Sequence, residues 1–414
     1  MQKLRILIAC GALGLSACGG GSDSMSSMTP APTPPAPTTN VQAVIVDAGP
    51  ANLSFASVDT LFVTLTVCAP GSTTNCQTID HVQVDTGSYG LRILSTVLTP
   101  ALATALTQQM TNGSPLAECT QFADGYSWGP VKIADVQIAS EKAAAVPMQV
   151  IGDPAYATVP SDCSSSGKQE DTVDTFGANG IIGLGVFLQD CGPACASAVQ
   201  AGTYYACPTS ATCQGSTASL AQQVSNPVAG FATDNNGVII ELPSVASGGA
   251  TNVSGSLIFG IGTQSNNALG NAAVYTVDPN TGNLTVNFQG TPLADSFVDS
   301  GSNAFYFPDG STPTCDQTMQ NTVASGFYCP SSTQSLMATV QGMNGTSTPI
   351  SFSIGNADML FRQNQMATAF NNIGAPNTDT SSFDLGLPFF FGRSIFTVLE
   401  TKNTAGGVGP YVAF

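Results

Sequence analysis

The sequence predicts an all-β chain, and three observations carry that expectation. Apolar runs rich in Val, Ile, Thr and Phe follow one another from Val41 to the C-terminus. Charged residues make up only 8% of the 414, while Gly, Ser, Thr and Val are abundant, a balance that favours strands and turns over long helices. Turn residues separate the runs, and segments with helical character are few and brief.

Taken in order, the first segment is a targeting signal. "MQKLR" is a basic n-region and "ILIACGALGL" an apolar stretch too short to span a bilayer. "LSAC", Leu15 to Cys18, resembles the lipobox of bacterial lipoproteins, which implies removal of residues 1–17 and acylation of Cys18. Gly19 in place of an aspartate favours an outer-membrane address for an exported, lipid-anchored envelope protein. Residues 18–41 then read as a tether, Gly/Ser-rich followed by Pro/Thr-rich, which cannot bury apolar surface.

Strands are expected at "LFVTLTV" and "HVQVD", a hairpin around a Cys-bounded loop, and at "VKIADVQIA". A short Gly-bracketed apolar run, "GANGIIGLGVF", comes next. "STASLAQQVSN" is expected to be a helix capped by Ser216, and a second short helix lies near "RQNQMATAF". Strands resume with "GVIIELP", "GSLIFGIG", "AVYTVD", "LTVNFQG", "ADSFVDSGS", "PISFSIG", "RSIFTVLE" and "YVAF".

With Cys10 and Cys18 set aside, ten of the twelve cysteines remain, an even number that reads as a disulfide framework in an exported chain. Proximity pairs Cys68 with Cys76 and Cys315 with Cys329, and Cys119 with Cys163 follows. Cys191, Cys195, Cys207 and Cys213 supply two more bonds of open connectivity. The single histidine argues against zinc, and no metal or cofactor is expected. A net charge of −17 with nine Lys and Arg excludes a phosphate-binding surface, so no nucleic-acid partner is expected.

One motif is written twice. "VDTGSYGLRIL" begins at Val84 and "VDSGSNAFYFP" at Val298, each an Asp at the end of a strand, then a hydroxyl, Gly and Ser. Two carboxylates brought within hydrogen-bond reach share one proton, so one can act as base while the other acts as acid. Gly87 and Gly301 let backbone approach the carboxylates. Thr86 and Ser300 are placed to reach the partner turn, and Ser88 and Ser302 to bond the outer carboxylate oxygens.

These features together resemble the pepsin-like, bilobal aspartic proteases over nearly all of the chain after the tether. "ANGIIGLGVF" is similar to that family's Gly-apolar-apolar-Gly segment, "SGSLIFGIGT" to its C-lobe strand pair, and "LGLPFFFGRSIFTVLE" to its closing segment. The resemblance implies two related β-barrel-like lobes, 42–236 and 237–414, with Asp85 and Asp299 activating one water. It implies a monomeric endopeptidase acting on peptides or unfolded protein, attached to the membrane through its N-terminal lipid only. The covering flap would be "QFADGYSWGPV", with Phe122, Gly125, Tyr126 and Trp128 as substrate-binding residues. The chain departs from the family at Phe122, where a tyrosine is usual, and at Asp384 and Leu387, where an apolar residue and an aspartate are usual. These departures motivate an alternative, a catalytically silent binding protein with the same fold.

"GYSWG" also matches the serine-hydrolase elbow, but Pro130 and a strand follow it and no histidine lies downstream. His81 shares a strand face with Gln83 and Asp85, which would let it tune the dyad, although a partly exposed strand histidine is the commoner case.

Overall fold

A computed structural model describes residues 40–318 and 322–414. The signal segment, Cys18 and the tether up to residue 39 lie outside the described residues. The protein is mostly β, with 42% strand and 11% helix, as composition and patterning predict.

A central platform joins the first and last described strands. Val41–Val46 pairs antiparallel with Val253–Phe259, Val41 opposite Ile258 and Val46 opposite Val253. Gly237–Leu242 lies on the other side of Val253–Phe259, followed by Arg393–Val398 and then Tyr411–Ala413. These strands read as nearly continuous apolar runs because both faces of the sheet are covered. Val238, Ile240, Leu257 and Phe259 pack into the large core on one face. Ile239, Ile258 and Phe396 pack into a separate cluster on the other.

The same three-strand arrangement surrounds each motif aspartate. Cys76–Asp85 ends at its carboxylate, and the chain turns back as Tyr89–Leu94. Gly180–Leu184 fills the gap between them, parallel to the first with Gly183 opposite Asp85, antiparallel to the second. Around the later motif, Asp384–Leu385 runs parallel to Thr291–Val298 and antiparallel to Phe305–Phe307. Leu385 accepts a hydrogen bond from the Asp299 amide at 3.1 Å.

A long hairpin, Ser114–Gln121 and Gly125–Ile138, leans toward the first motif. Its tip closes where the Phe122 amide donates to Gly125 O at 2.7 Å. Below the tip, Trp128 is 1% exposed, packs edge-on against Tyr205, and donates its indole N–H to Tyr156 O at 2.8 Å. The Tyr126 hydroxyl bonds Gln169 Oε1 at 3.3 Å. Both residues belong to the packed base of the hairpin, below its tip.

Five disulfides form: Cys68–Cys76, Cys119–Cys163, Cys191–Cys195, Cys207–Cys213 and Cys315–Cys329. The three pairings read from spacing are present, and the open cluster resolves into two local loops. Such a framework fits an oxidising, exported environment. No helix among the described residues is long and apolar enough to cross a membrane.

One local expectation fails, and another is met a few residues upstream. The segment from Ser216 is irregular rather than helical. The Ser219 amide and hydroxyl both donate to Gln222 Oε1 and the Gln223 backbone amide donates to Ser219 O at 3.3 Å, but Gln223 Nε2 takes the Ala218 carbonyl, and the segment makes a turn without continuing as a helix. Near "RQNQMATAF" the helix lies upstream, at Ala357–Gln363, because Asn356 caps it by accepting from the Met359 amide at 3.0 Å.

Candidate active site

The two motif turns meet through side-chain and backbone hydrogen bonds. The Thr86 amide donates to Ser300 Oγ at 3.2 Å, and the Ser300 amide donates to Thr86 Oγ1 at 3.0 Å. Each hydroxyl then donates across the junction, Thr86 Oγ1 to Val298 O at 3.1 Å and Ser300 Oγ to Val84 O at 2.8 Å. Four hydrogen bonds thus satisfy both amides and both hydroxyls, which locks the turns in register.

That lock sets the carboxylates face to face. The Gly87 amide donates to Asp85 Oδ1 at 2.7 Å and to Asp299 Oδ1 at 3.0 Å, so one N–H serves both inner oxygens. The Gly301 amide donates to Asp299 Oδ1 at 2.7 Å. The outer oxygens take serine hydroxyls, Ser88 to Asp85 Oδ2 at 2.6 Å and Ser302 to Asp299 Oδ2 at 2.7 Å. Glycine is required at both turns. A Cβ on Gly87 would lie 2.6 Å from the Asp299 carboxyl carbon, and one on Gly301 would lie 2.5 Å from Asp85 Oδ1.

Burial dominates the electrostatics. Asp85 is 6% exposed and Asp299 is fully buried. Desolvation holds Asp299 well above the usual carboxylate range, and the negative charges of Asp85 and Asp384 push it the same way. Tyr89 is also pushed up, first by burial and then by Asp85 and Asp299. An acid that keeps its proton beside a second carboxyl can donate that proton while its partner accepts another.

A pocket of about 500 Å3 opens beside Asp85, lined by Phe122, Phe176 and Ile181 on its apolar side and by Gln83, Asp124 and Glu170 on its polar side. Phe122 reaches it from the hairpin tip and packs edge-on against Phe176. Gly125 is buried beneath the tip, outside this lining. His81 is not part of the site. Its backbone bends at φ 47°, and its ring bonds Asp80 at 2.8 Å and Asp47 at 3.3 Å. The alternation that would carry it to the face of Asp85 is lost at that bend.

Gln83 carries part of the site without a sequence signal. It is 5% exposed and donates Nε2–H to Gly301 O at 2.9 Å, a further bond between the motif regions. A glutamine two residues before a motif aspartate looks like ordinary strand alternation. Asp384 is the other such residue: it is visible in the sequence as a departure from the family pattern, but nothing there shows that it is 2% exposed and beside Ser302. Among the described residues no group of three or more His, Cys, Asp or Glu is arranged to hold a metal ion.

No curated protein matches the chain. The family model described as "Protein of unknown function (DUF3443)" matches residues 36–414. The match spans the whole platform, both aspartate turns and the hairpin over the pocket, and the chain belongs to the DUF3443 family.

Proposed function

We propose that this protein is a pepsin-like aspartic endopeptidase built from two related lobes, exported and anchored through a lipid on Cys18 to the outer membrane. The observation that carries the reading is the single Gly87 N–H donating to the inner oxygens of both Asp85 and Asp299. Such proximity leaves one proton between two carboxyls. The ionised member takes a proton from a water, the resulting hydroxide attacks the peptide carbonyl, and the protonated member donates to the carbonyl oxygen. The same acid–base pair then returns a proton to the leaving amine as the C–N bond breaks. The repeated strand arrangement around the two aspartates supports the lobed reading. Phe122, Phe176 and Ile181 offer an apolar seat for a substrate side chain next to Asp85.

A digest of a denatured protein at several acidic and neutral pH values, with cut sites identified by mass spectrometry, tests this directly. Cleavage should be favoured by acid, blocked by pepstatin, and lowered by roughly 10²–10⁴-fold in Asp85→Asn and in Asp299→Asn. No cleavage at any pH together with indifference to pepstatin would remove the reading.

A second reading keeps the cleft and drops the chemistry. It is favoured by the hairpin tip, where Phe122 has no hydroxyl and the Tyr126 hydroxyl is engaged with Gln169. Peptide binding that survives in the double Asn variant, without cleavage by the wild type, would support this binding module instead.

A further inference from the structure

Asp384 is a buried carboxyl that the two-aspartate chemistry does not use. It starts the short strand beside Asp299, paired with Phe297 on one side and Tyr306 on the other. It is 2% exposed, and its Oδ1 has no hydrogen-bond partner. Its carboxyl bonds the Ser302 hydroxyl, the same hydroxyl that stands 2.7 Å from Asp299 Oδ2. The equivalent register position beside Asp85 holds Ile181, since Ile182 faces Val84 as Leu385 faces Val298. The third carboxyl is therefore a one-sided addition behind Asp299.

A serine hydroxyl has one proton to give. While Ser302 gives it to Asp299, Asp384 meets that oxygen only as a donor, and to donate it must itself be protonated. Its surroundings agree. Burial holds Asp384 well above the usual carboxylate range, and the charge of Asp85 adds to that despite the Ser302 hydrogen bond. Asp299 is the other carboxyl acting across this contact, while Tyr306, opposite on the neighbouring strand, gives its hydroxyl proton to Asn303 Oδ1 at 2.6 Å.

We propose that Asp384 is a positioning residue for the dyad: as a neutral acid it donates to Ser302 and so directs the Ser302 proton onto Asp299, and once ionised it draws that proton to itself and leaves Asp299 without the bond. The competent site then holds two protons among three carboxyls, one on the dyad and one on Asp384. This inference rests on the protease reading for its consequence, but its proton can be tested without turnover.

Infrared difference spectra in D2O, wild type against Asp384→Asn, should show the band of a protonated carboxylic acid persisting at least about one unit above the ordinary Asp pKa of ~3.9. Ser302→Ala, which removes the acceptor, should shift that band. Absence of the band from folded wild type, or a band that Ser302→Ala leaves in place, overturns the proposal whether or not the protein cleaves peptides. For cleavage, the alkaline limb of the rate profile should fall with the loss of two protons in the wild type and of one in Asp384→Asn. Asp384→Leu should be slower than Asp384→Asn by about fivefold at acid pH, because the amide N–H still donates to Ser302 and the leucine does not. Equal slopes in wild type and Asp384→Asn would overturn the positioning role, while cleavage by the wild type would leave the protease reading standing.

Discussion

Thr86 and Ser300, 214 residues apart, exchange amide-to-hydroxyl hydrogen bonds in both directions, each serving as donor and acceptor for the other. Thr86→Val removes one hydroxyl while keeping the shape. It leaves the Ser300 amide and the Val298 carbonyl unpaired in a buried junction, at a cost of about 1–3 kcal/mol for each group. Ser300→Ala should cost a similar amount, and the double variant should cost less than the sum because both act on one contact. Urea unfolding of the four proteins checks this.

Gly301→Ala should separate folding from chemistry. The added methyl would stand 2.5 Å from Asp85 Oδ1 and 3.0 Å from Asp299 Oδ1, so the carboxylates must move apart. Displacement on that scale lowers turnover by roughly 10²-fold. The expected outcome is a normal circular dichroism spectrum with cleavage reduced by at least that factor.

Arg92 is 1% exposed and holds two carboxylates, Glu118 at 2.6 Å and Asp190 at 3.1 Å, with its other N–H groups on Thr120 Oγ1 and Tyr89 O. It ties the hairpin strand to the first aspartate turn. Arg92→Met should destabilise by about 3–5 kcal/mol, since it leaves buried acids without their cation. Guanidinium unfolding should show the loss, with Glu118→Gln in the same background recovering part of it.

Asp59 provides a pH signature. It is fully buried, accepts from the Phe370 amide at 2.7 Å through Oδ1, and has no partner for Oδ2. Burial holds its carboxyl well above the usual range. A raised folded-state pKa means that its contribution to stability is complete below the unfolded value of ~3.9 and declines as pH rises toward the folded value. The melting temperature of the wild type should therefore fall relative to Asp59→Asn as pH increases from that point. A constant difference between the two would show that Asp59 titrates alike in both states.

The parts of this protein that were legible in its sequence are those where chemistry and backbone demand the same residues. Asp85-Thr86-Gly87-Ser88 needs a carboxylate, a crossing hydroxyl, a missing Cβ and an outer donor in four consecutive positions, and Asp299 to Ser302 repeats that set. Strand patterning was readable for a similar reason, since Val238 to Ile240 must satisfy two packed faces. Side-chain competition was not readable: Gln222 and Gln223 sit in a helix-like composition, yet Gln223 Nε2 takes the Ala218 carbonyl and the segment stops after a turn. Nor was the depth of Trp128, which depends on Tyr205 and Tyr156, both far along the chain. Asp384 lies between these cases, conspicuous as an acid in a Phe-rich run but without meaning until Ser302 is beside it.

The pairing of Val41–Val46 with Val253–Phe259 has a consequence for biogenesis. One edge of this first described strand pairs with Leu61–Val63 soon after it emerges, but its other edge must wait for more than two hundred later residues, so synthesis order and assembly order are uncoupled there. A chain interrupted before Val253 would present that orphaned edge to other molecules.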